Sequence, residues 1–251
     1  MKNRMSDLAV GDRLKAGYEG YYEQGDSEWR WLCAADKANN IVSLCRELPH
    51  NSILEIGAGE GSILKKLSDL GFGEKLHAIE ISTTGIEAIS KRGISRLVEC
   101  LLFDGYCIPY GDRTFDLAIL SHVIEHVEFP RKLIYEAARV AQYVFIEVPL
   151  EDTVRLGRDF VPDNVGHINF YSPKTIRRLG QTCNLEVLDQ IVTTPSRAVH
   201  TYRKGKKGLV NYLIKQCFLK LLPGMATGIF VYHSSLVCRA KGQGDSRIVV
   251  C

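Results

Sequence analysis

The sequence predicts an α/β fold, a mostly parallel sheet with helices on both faces, from three observations. Short apolar runs that read as strands alternate with helical patterns along most of the chain. The first run, Ser52-Ile-Leu-Glu-Ile-Gly-Ala-Gly-Glu-Gly-Ser62, breaks into three glycines at alternate positions and then turns helical. The next run ends in an acid, Glu80, 21 residues beyond Gly59.

Composition narrows the class. A chain of 251 residues can bury the core of one large α/β domain with additions. No apolar stretch reaches the ~20 residues that span a bilayer, so no transmembrane helix is expected. The start, Met1-Lys-Asn-Arg-Met-Ser-Asp7, lacks the apolar core of a secretion signal. The eight cysteines form no C-x-x-C pair and no Cys/His cluster with zinc spacing, and they read as reduced thiols of a cytoplasmic protein. No compact carboxylate set obliges a metal, and none is expected. The net charge of +3 is uneven, because no acid occurs between Asp189 and Asp245 while nine Lys and Arg do.

Each element follows in order. Residues 1–26 are polar and irregular, with tyrosines at Tyr18, Tyr21 and Tyr22. From Ser27 to about Leu48, Trp31, Ala34, Ala38, Ile41 and Cys45 share a helical face, which Pro49-His50-Asn51 ends. At the first strand's end, Gly57, Gly59 and Gly61 read as a tight turn where the backbone comes close to a ligand. The helix opening at Ser62 then offers free N–H groups and a positive dipole end. Gly71-Phe-Gly73 stops that helix, and Leu76–Glu80 is the second strand. An acid at this distance from the glycine turn can accept both hydroxyls of a ribose. A third strand near Arg96–Leu102 leads into Phe103-Asp104-Gly105, whose Asp-Gly pair also suits a turn. Phe115–Leu120 is the fourth strand. A helix starts at Pro130 with Leu133, Ile134, Ala137 and Val140 as its core face, and Ala141–Val148 is the fifth strand. After a loop over 150–170, Ser172-Pro173 starts a helix to about Cys183. Leu185–Val192 is the sixth strand, and Ile229–Cys238 forms the last. Within 193–227 an apolar helical stripe runs through Leu209, Val210, Leu213, Ile214, Cys217, Phe218, Leu221 and Leu222, with lysines beside or opposite it.

The G-x-G-x-G turn with an acid inside the preceding strand resembles motif I of the class I S-adenosylmethionine (SAM) methyltransferases, and departs from the dinucleotide fingerprint G-x-G-x-x-G. Phe115 to Val127, F-D-L-A-I-L-S-H-V-I-E-H-V, closely resembles the strand-four segment of type 11 methyltransferases, and Gly166-His-Ile-Asn-Phe-Tyr171 is similar to their substrate-side segment. The resemblance covers about 27–192 and the final strand. It implies a Rossmann-like seven-stranded, mostly parallel sheet with an antiparallel last strand, and SAM as methyl donor, leaving S-adenosylhomocysteine (SAH). Glu55 would hold the ligand's ammonium group, and Gly57, Ala58 and Gly59 its methionine tail. Glu80, with Ile81 beside it, would take the ribose. Phe103, Asp104 and Gly105 would meet the adenine. Ser121 and His122 would lie beside the methionine portion and the reactive methyl.

The resemblance also implies a domain over 27–240, an N-terminal lid over 1–26, a basic helical insertion at about 193–227 and a tail at 241–251. The insertion should overhang the active-site face, because its connection leaves the ligand-binding edge of the sheet. It is either a lid helix whose apolar face packs on the sheet, or a surface through 203–222 that meets an anionic membrane or a lipid-linked substrate. The lack of interleaved aromatics argues against nucleic acid. Methyl transfer from a sulfonium chiefly needs an aligned nucleophile. For a hydroxyl acceptor a base helps, with His167 the first candidate and His126 the second. The acceptor is expected to be a small molecule, sugar or lipid-linked compound methylated at oxygen, with carbon and amine left open. The alternatives are a non-catalytic SAM-binding or partner-binding protein, and an NAD-dependent oxidoreductase.

Overall fold

A computed structural model describes residues 11–24, 27–157 and 166–242. Among the described residues seven strands form one sheet. They are β1 (Ser52–Ile56), β2 (Lys75–Glu80), β3 (Leu97–Leu102), β4 (Phe115–Ser121), β5 (Ala141–Pro149), β6 (Leu185–Thr193) and β7 (His233–Ala240). Their order across the sheet is β3-β2-β1-β4-β5-β7-β6, and β7 alone runs antiparallel to its neighbours. The chain order reverses between β1 and β4, which opens a crevice at their C-terminal ends.

The central strands are buried on both faces, which is why β1, β4 and β5 read as near-continuous apolar runs. The start of β1 is locked to β4 by a reciprocal pair. Ser52 N–H donates to Asp116 Oδ2 and Asp116 N–H donates to Ser52 Oγ, each at 3.0 Å. That pair is the structural use of the acid in Phe115-Asp116. One face of the sheet is covered by α2 (Ser27–Cys45), α3 (Ser62–Asp69) and α4 (Thr83–Lys91), where Ala38, Ile41, Leu64, Leu67 and Ile89 share a core. The other is covered by α5 (Pro130–Val140) and α6 (Pro173–Gln181), through Leu133, Ile134, Ala137 and Ile176. Ser172 caps α6 in a reciprocal box with Thr175, as the Ser-Pro signal predicted.

Three expectations change. Residues 12–24, read as irregular, form a helix, α1 (Asp12–Gln24). It has no apolar stripe to betray it and docks through polar contacts at the start of α4. Glu19 accepts from Thr83 N–H at 2.8 Å, Thr83 Oγ1 at 2.9 Å and Thr84 N–H at 3.1 Å. The remainder of the expected lid, residues 1–10 and 25–26, and most of the tail, 243–251, lie outside the described residues.

Secondly, the last strand starts at His233, not Ile229. Pro223–Ile229 is a short helix, α8, and pairing with β5 begins only at Pro149↔His233. Thirdly, the insertion is α7 (Arg197–Leu221), kinked at Gly205, and its apolar stripe does not pack on the sheet as a unit. Val210, Leu213, Ile214 and Leu221 are exposed, whereas Lys215 is buried and donates to Val231 O at 2.5 Å. The helix is turned this way because Tyr232, fully buried, donates its hydroxyl to Lys215 O at 2.8 Å and fixes that side inward. Burial pushes the Lys215 ammonium down to about 8, with Lys204 adding to the effect. Among the described residues no helix is long and apolar enough to cross a membrane.

The glycine turn is packed from behind by α4. A Cβ on Gly85 would stand 2.8 Å from Glu80 Cγ and 2.9 Å from Gly59 O. Gly85→Ala is therefore expected to destabilise the protein by about 1–3 kcal/mol. Denaturant titration checks this, and unchanged stability would mean that α4 stands further from the turn.

Candidate active site

The glycine turn sits where β1 meets the crevice. Gly57, Gly59 and Gly61 all have positive φ, at 69°, 58° and 74°. At Gly57 a side chain is excluded by space as well, since a Cβ would lie 2.8 Å from Val123 Cγ2. Gly59 N–H donates to Glu80 Oε2 at 2.7 Å, and Glu80 Oε1 accepts from Ile81 N–H at 2.9 Å and Ser82 N–H at 3.2 Å. Glu80 is thus first a brace for the turn. Three backbone donors fill three of the roughly four acceptor sites of a carboxylate, so a ribose would share Glu80 with the turn rather than take both oxygens. Burial raises Glu80, and these N–H groups pull it back.

The turn's own acid, Glu60, was missed in the sequence. It accepts from Arg30 Nη2 at 2.8 Å and pairs with Arg92 Nη2 at 3.0 Å, tying the turn to α2 and to the residue that ends α4. Burial alone would raise Glu60, but the bonds from Arg30 and Ser62 and the charges of Arg30 and Arg92 outweigh it and hold it low.

A cavity of about 1040 Å³ runs over the sheet's C-terminal edge. Glu55, Gly57, Ala58 and Gly59 border it at one end and His167 with Glu151 at another, while Ser121, His122 and His126 also line it. A smaller adjoining pocket is lined by Tyr18 of α1 together with Glu80, Ile81, Phe103 and Gly105. The sequence-predicted residues therefore converge, with one qualification. Asp104 Oδ1 accepts from Tyr106 N–H at 2.7 Å and Cys107 N–H at 2.6 Å, a turn-forming role, and only its neighbours line the pocket. Of the tyrosine cluster, Tyr18 and Tyr21 line the cavity, and the side chain of Tyr22 lies outside the described residues.

Four carboxylates are buried along this edge: Glu55, Glu80, Glu125 and Glu147, each at most 2% exposed. Glu55 Oε2 has no hydrogen-bond partner. Burial pushes the Glu55 carboxyl up to about 8, against the pull of Lys37 and of the Leu64 N–H. His122 holds a left-handed backbone at φ 58°, a strain of about 1–3 kcal/mol for a non-glycine residue. Its ring lies between two of the acids, with Nδ1 at 3.3 Å from Glu125 Oε1 and Nε2 at 3.5 Å from Glu147 Oε1. Burial would raise Glu147, but the neighbouring His122 and the charges of His233 and Lys37 hold it at about 2.

His167 Nδ1 is 2.7 Å from Glu151 Oε2. The carboxylate accepts a hydrogen bond from Nδ1–H, which leaves the ring's lone pair on Nε2 and orients the ring. His126 meets His167 edge to face at 4.6 Å between ring centroids, and burial lowers its basicity. Glu151, Glu125, Glu147 and His233 gave no sequence signal, because nothing local distinguishes them from ordinary strand and loop residues.

Glu55 gives a pH prediction. Its carboxyl titrates near 8 in the folded chain against an ordinary 4.5. Between those values the folded chain keeps a proton that the unfolded chain has lost, so this group's contribution to stability falls as pH rises through that window. Glu55→Gln is expected to remove that loss. The variant's melting temperature should gain on the native protein's between pH 6 and 9, and parallel pH profiles would refute the buried, uncompensated carboxyl.

Comparison with known proteins agrees with this geometry. A family model described as a methyltransferase domain matches residues 33–190. A norajmaline N-methyltransferase from Rauvolfia serpentina is 29% identical over 148 residues, which are 54% of this chain and 49% of that protein. A sterol 4-C-methyltransferase from Caenorhabditis elegans is 28% identical over 141 residues, 54% of this chain and 39% of that protein. The chain thus spans about half the length of the curated relatives it matches. Among solved structures, a Haemonchus contortus N-methyltransferase in complex with phosphomonomethylethanolamine and SAH superposes with a TM-score of 0.58 at 12% identity, covering 82% of this chain and 53% of that one. With its sheet order, its glycine turn and the family match over most of its length, the chain belongs to the methyltransferase domain family and has the class I fold of SAM-dependent methyltransferases.

Proposed function

We propose that the protein transfers the methyl group of SAM to an oxygen of a small-molecule, sugar or lipid-linked acceptor. One observation carries this: a single cavity joins the buried carboxyl of Glu55 at the glycine turn to the His167–Glu151 pair. The residues present fit SAM. The unpartnered Glu55 Oε2 matches an ammonium group, and the glycine backbone allows a methionine-derived tail to come close. Glu80 and the pocket at Phe103 suit a nucleoside.

When bound, SAM supplies a methyl already activated by its sulfonium. What the chain adds is placement and a proton acceptor. Glu55, once ionised, would hold the ammonium group, Gly57–Gly59 would hold the tail, and Ser121 and His122 would line its other side. His167 Nε2 takes the acceptor's hydroxyl proton, and Glu151 stabilises the imidazolium that results. The turned α7 supports the lipid-linked end of the acceptor class. Val210, Leu213, Ile214 and Leu221 form an exposed apolar stripe, with Lys206, Lys207 and Lys220 exposed nearby and Val199 at the cavity wall. Apolar insertion plus lysine attraction suits a peripheral contact with an anionic membrane.

Calorimetric titration with SAM and SAH, with NAD as control, tests the cofactor. Micromolar binding of the first two is expected, and Glu55→Gln should weaken both. Acceptor-dependent release of SAH from hydroxyl compounds tests transfer, whereas tight binding without transfer to any acceptor would favour the binding-protein alternative. His167→Ala should keep SAH affinity and slow turnover about 10²–10⁴-fold, the usual worth of a general base. Loss of SAH binding would place His167 elsewhere.

Vesicle sedimentation tests the α7 surface. The protein should bind vesicles containing an anionic phospholipid more than zwitterionic ones, and Leu213→Asp with Ile214→Asp should abolish the difference. Equal sedimentation with both vesicle types would remove the membrane contact.

A further inference from the structure

Beside the SAM site, β4, β5 and β7 bring His122 together with Glu147 and His233, two residues that methyl transfer as proposed does not use. We propose that His122, Glu147 and His233 form a binding site for one divalent transition-metal ion, with its open positions facing the acceptor cavity. The candidate ligand atoms of the three residues all lie within 4.8 Å of one another. Around a tetrahedral zinc with bonds of about 2.0–2.1 Å, neighbouring ligand atoms stand roughly 3.3 Å apart. His122 Nε2 and Glu147 Oε1 are already at 3.5 Å, so the rest is a matter of side-chain rotation.

Two further observations point to a ligand. His122 Nε2 and Glu147 Oε1 are both buried without a hydrogen-bond partner, although they face each other. Buried polar atoms are rarely left so. The other atom of each group has a different neighbour. His122 Nδ1 lies 3.3 Å from Glu125 Oε1, close to the arrangement in which a carboxylate orients a ligating imidazole. Glu147 Oε2 accepts from Asn40 Nδ2 at 2.8 Å and Ser235 Oγ at 2.6 Å, which aims Oε1 at the site. The rings of His122 and His233 stand edge to face with centroids 4.7 Å apart. Both histidines line the large cavity, and Glu147 closes the site from beneath.

Two imidazoles and one carboxylate make a borderline donor set, suited to zinc and its first-row neighbours rather than to calcium or magnesium. Three protein ligands with an open side is the arrangement of a site that takes an exogenous oxygen ligand. An acceptor hydroxyl bound there would lose its proton more easily. That role rests on the proposed transfer to oxygen, but metal binding itself does not.

The test uses the full chain, stripped of metal, titrated with Zn²⁺ by calorimetry and with Co²⁺ by visible absorption. One ion per chain is expected. Since changes in supporting residues cost about 10–100-fold in metal affinity, Ser235→Ala should fall in that range and Glu147→Gln and His233→Ala should lose at least about 100-fold. His167→Ala should leave affinity unchanged. SAH binding by each variant reports folding, and if Glu147→Gln fails that check His233→Ala carries the test. No stoichiometric ion would overturn the proposal. Loss on His167→Ala with His233→Ala unaffected would also overturn it, by moving the ion to the neighbouring group of Glu125, His126 and His167. If SAH binds and Zn²⁺ does not, the metal proposal fails while the methyltransferase assignment stands.

Discussion

The site depends on one carboxylate. Glu80, at the end of β2, gathers the N–H groups of Gly59, Ile81 and Ser82 and so joins the glycine turn after β1 to the turn that starts α4. It adds to the backbone bonds from Gly57 and Ala58 to Ile79 O in directing the positive-φ glycines, and Gly85 of α4 packs against the same turn. Glu60 repeats the device outward, reaching Arg30 on α2 and Arg92 past the end of α4. Two acids thus fix a loop that, by its glycine content, would otherwise be among the most flexible stretches of the chain.

The same edge of the sheet concentrates buried charge. Glu55, Glu80 and Glu147 sit in the last residues of their strands and Glu125 just beyond β4. Each is stabilised differently: Glu80 by backbone N–H groups, Glu125 and Glu147 beside histidine, and Glu55 incompletely. An incompletely compensated acid costs stability in the empty protein, and that cost is recovered when a cation arrives. Glu55 is therefore informative because one of its oxygens has no partner, whereas Glu80 is informative because both of its oxygens have one.

How much of this was legible in the sequence follows from how local each signal is. The strands of the central sheet were read with small errors at their ends, because double-sided burial writes itself as an apolar run. The glycine turn and Glu80 were legible because their spacing along the chain is the geometry. α1 was not, since it docks through Glu19 and two threonines and carries no apolar period. The facing of α7 was not, since the inward side includes a lysine and the outward side four large apolar residues. His233 begins a strand more than a hundred residues after His122, and Glu151 lies in a loop. Only the strand order brings such residues together.

The fastening of α1 differs from that of the turn beneath it. Tyr18 lines the smaller pocket, and the helix that carries it is tied to the first residues of α4 by bonds that Glu19 accepts. The pocket's floor is braced by backbone bonds to Glu80, whereas Tyr18 reaches the pocket on a helix docked through Glu19 and two threonines, so floor and roof are fastened by different residues.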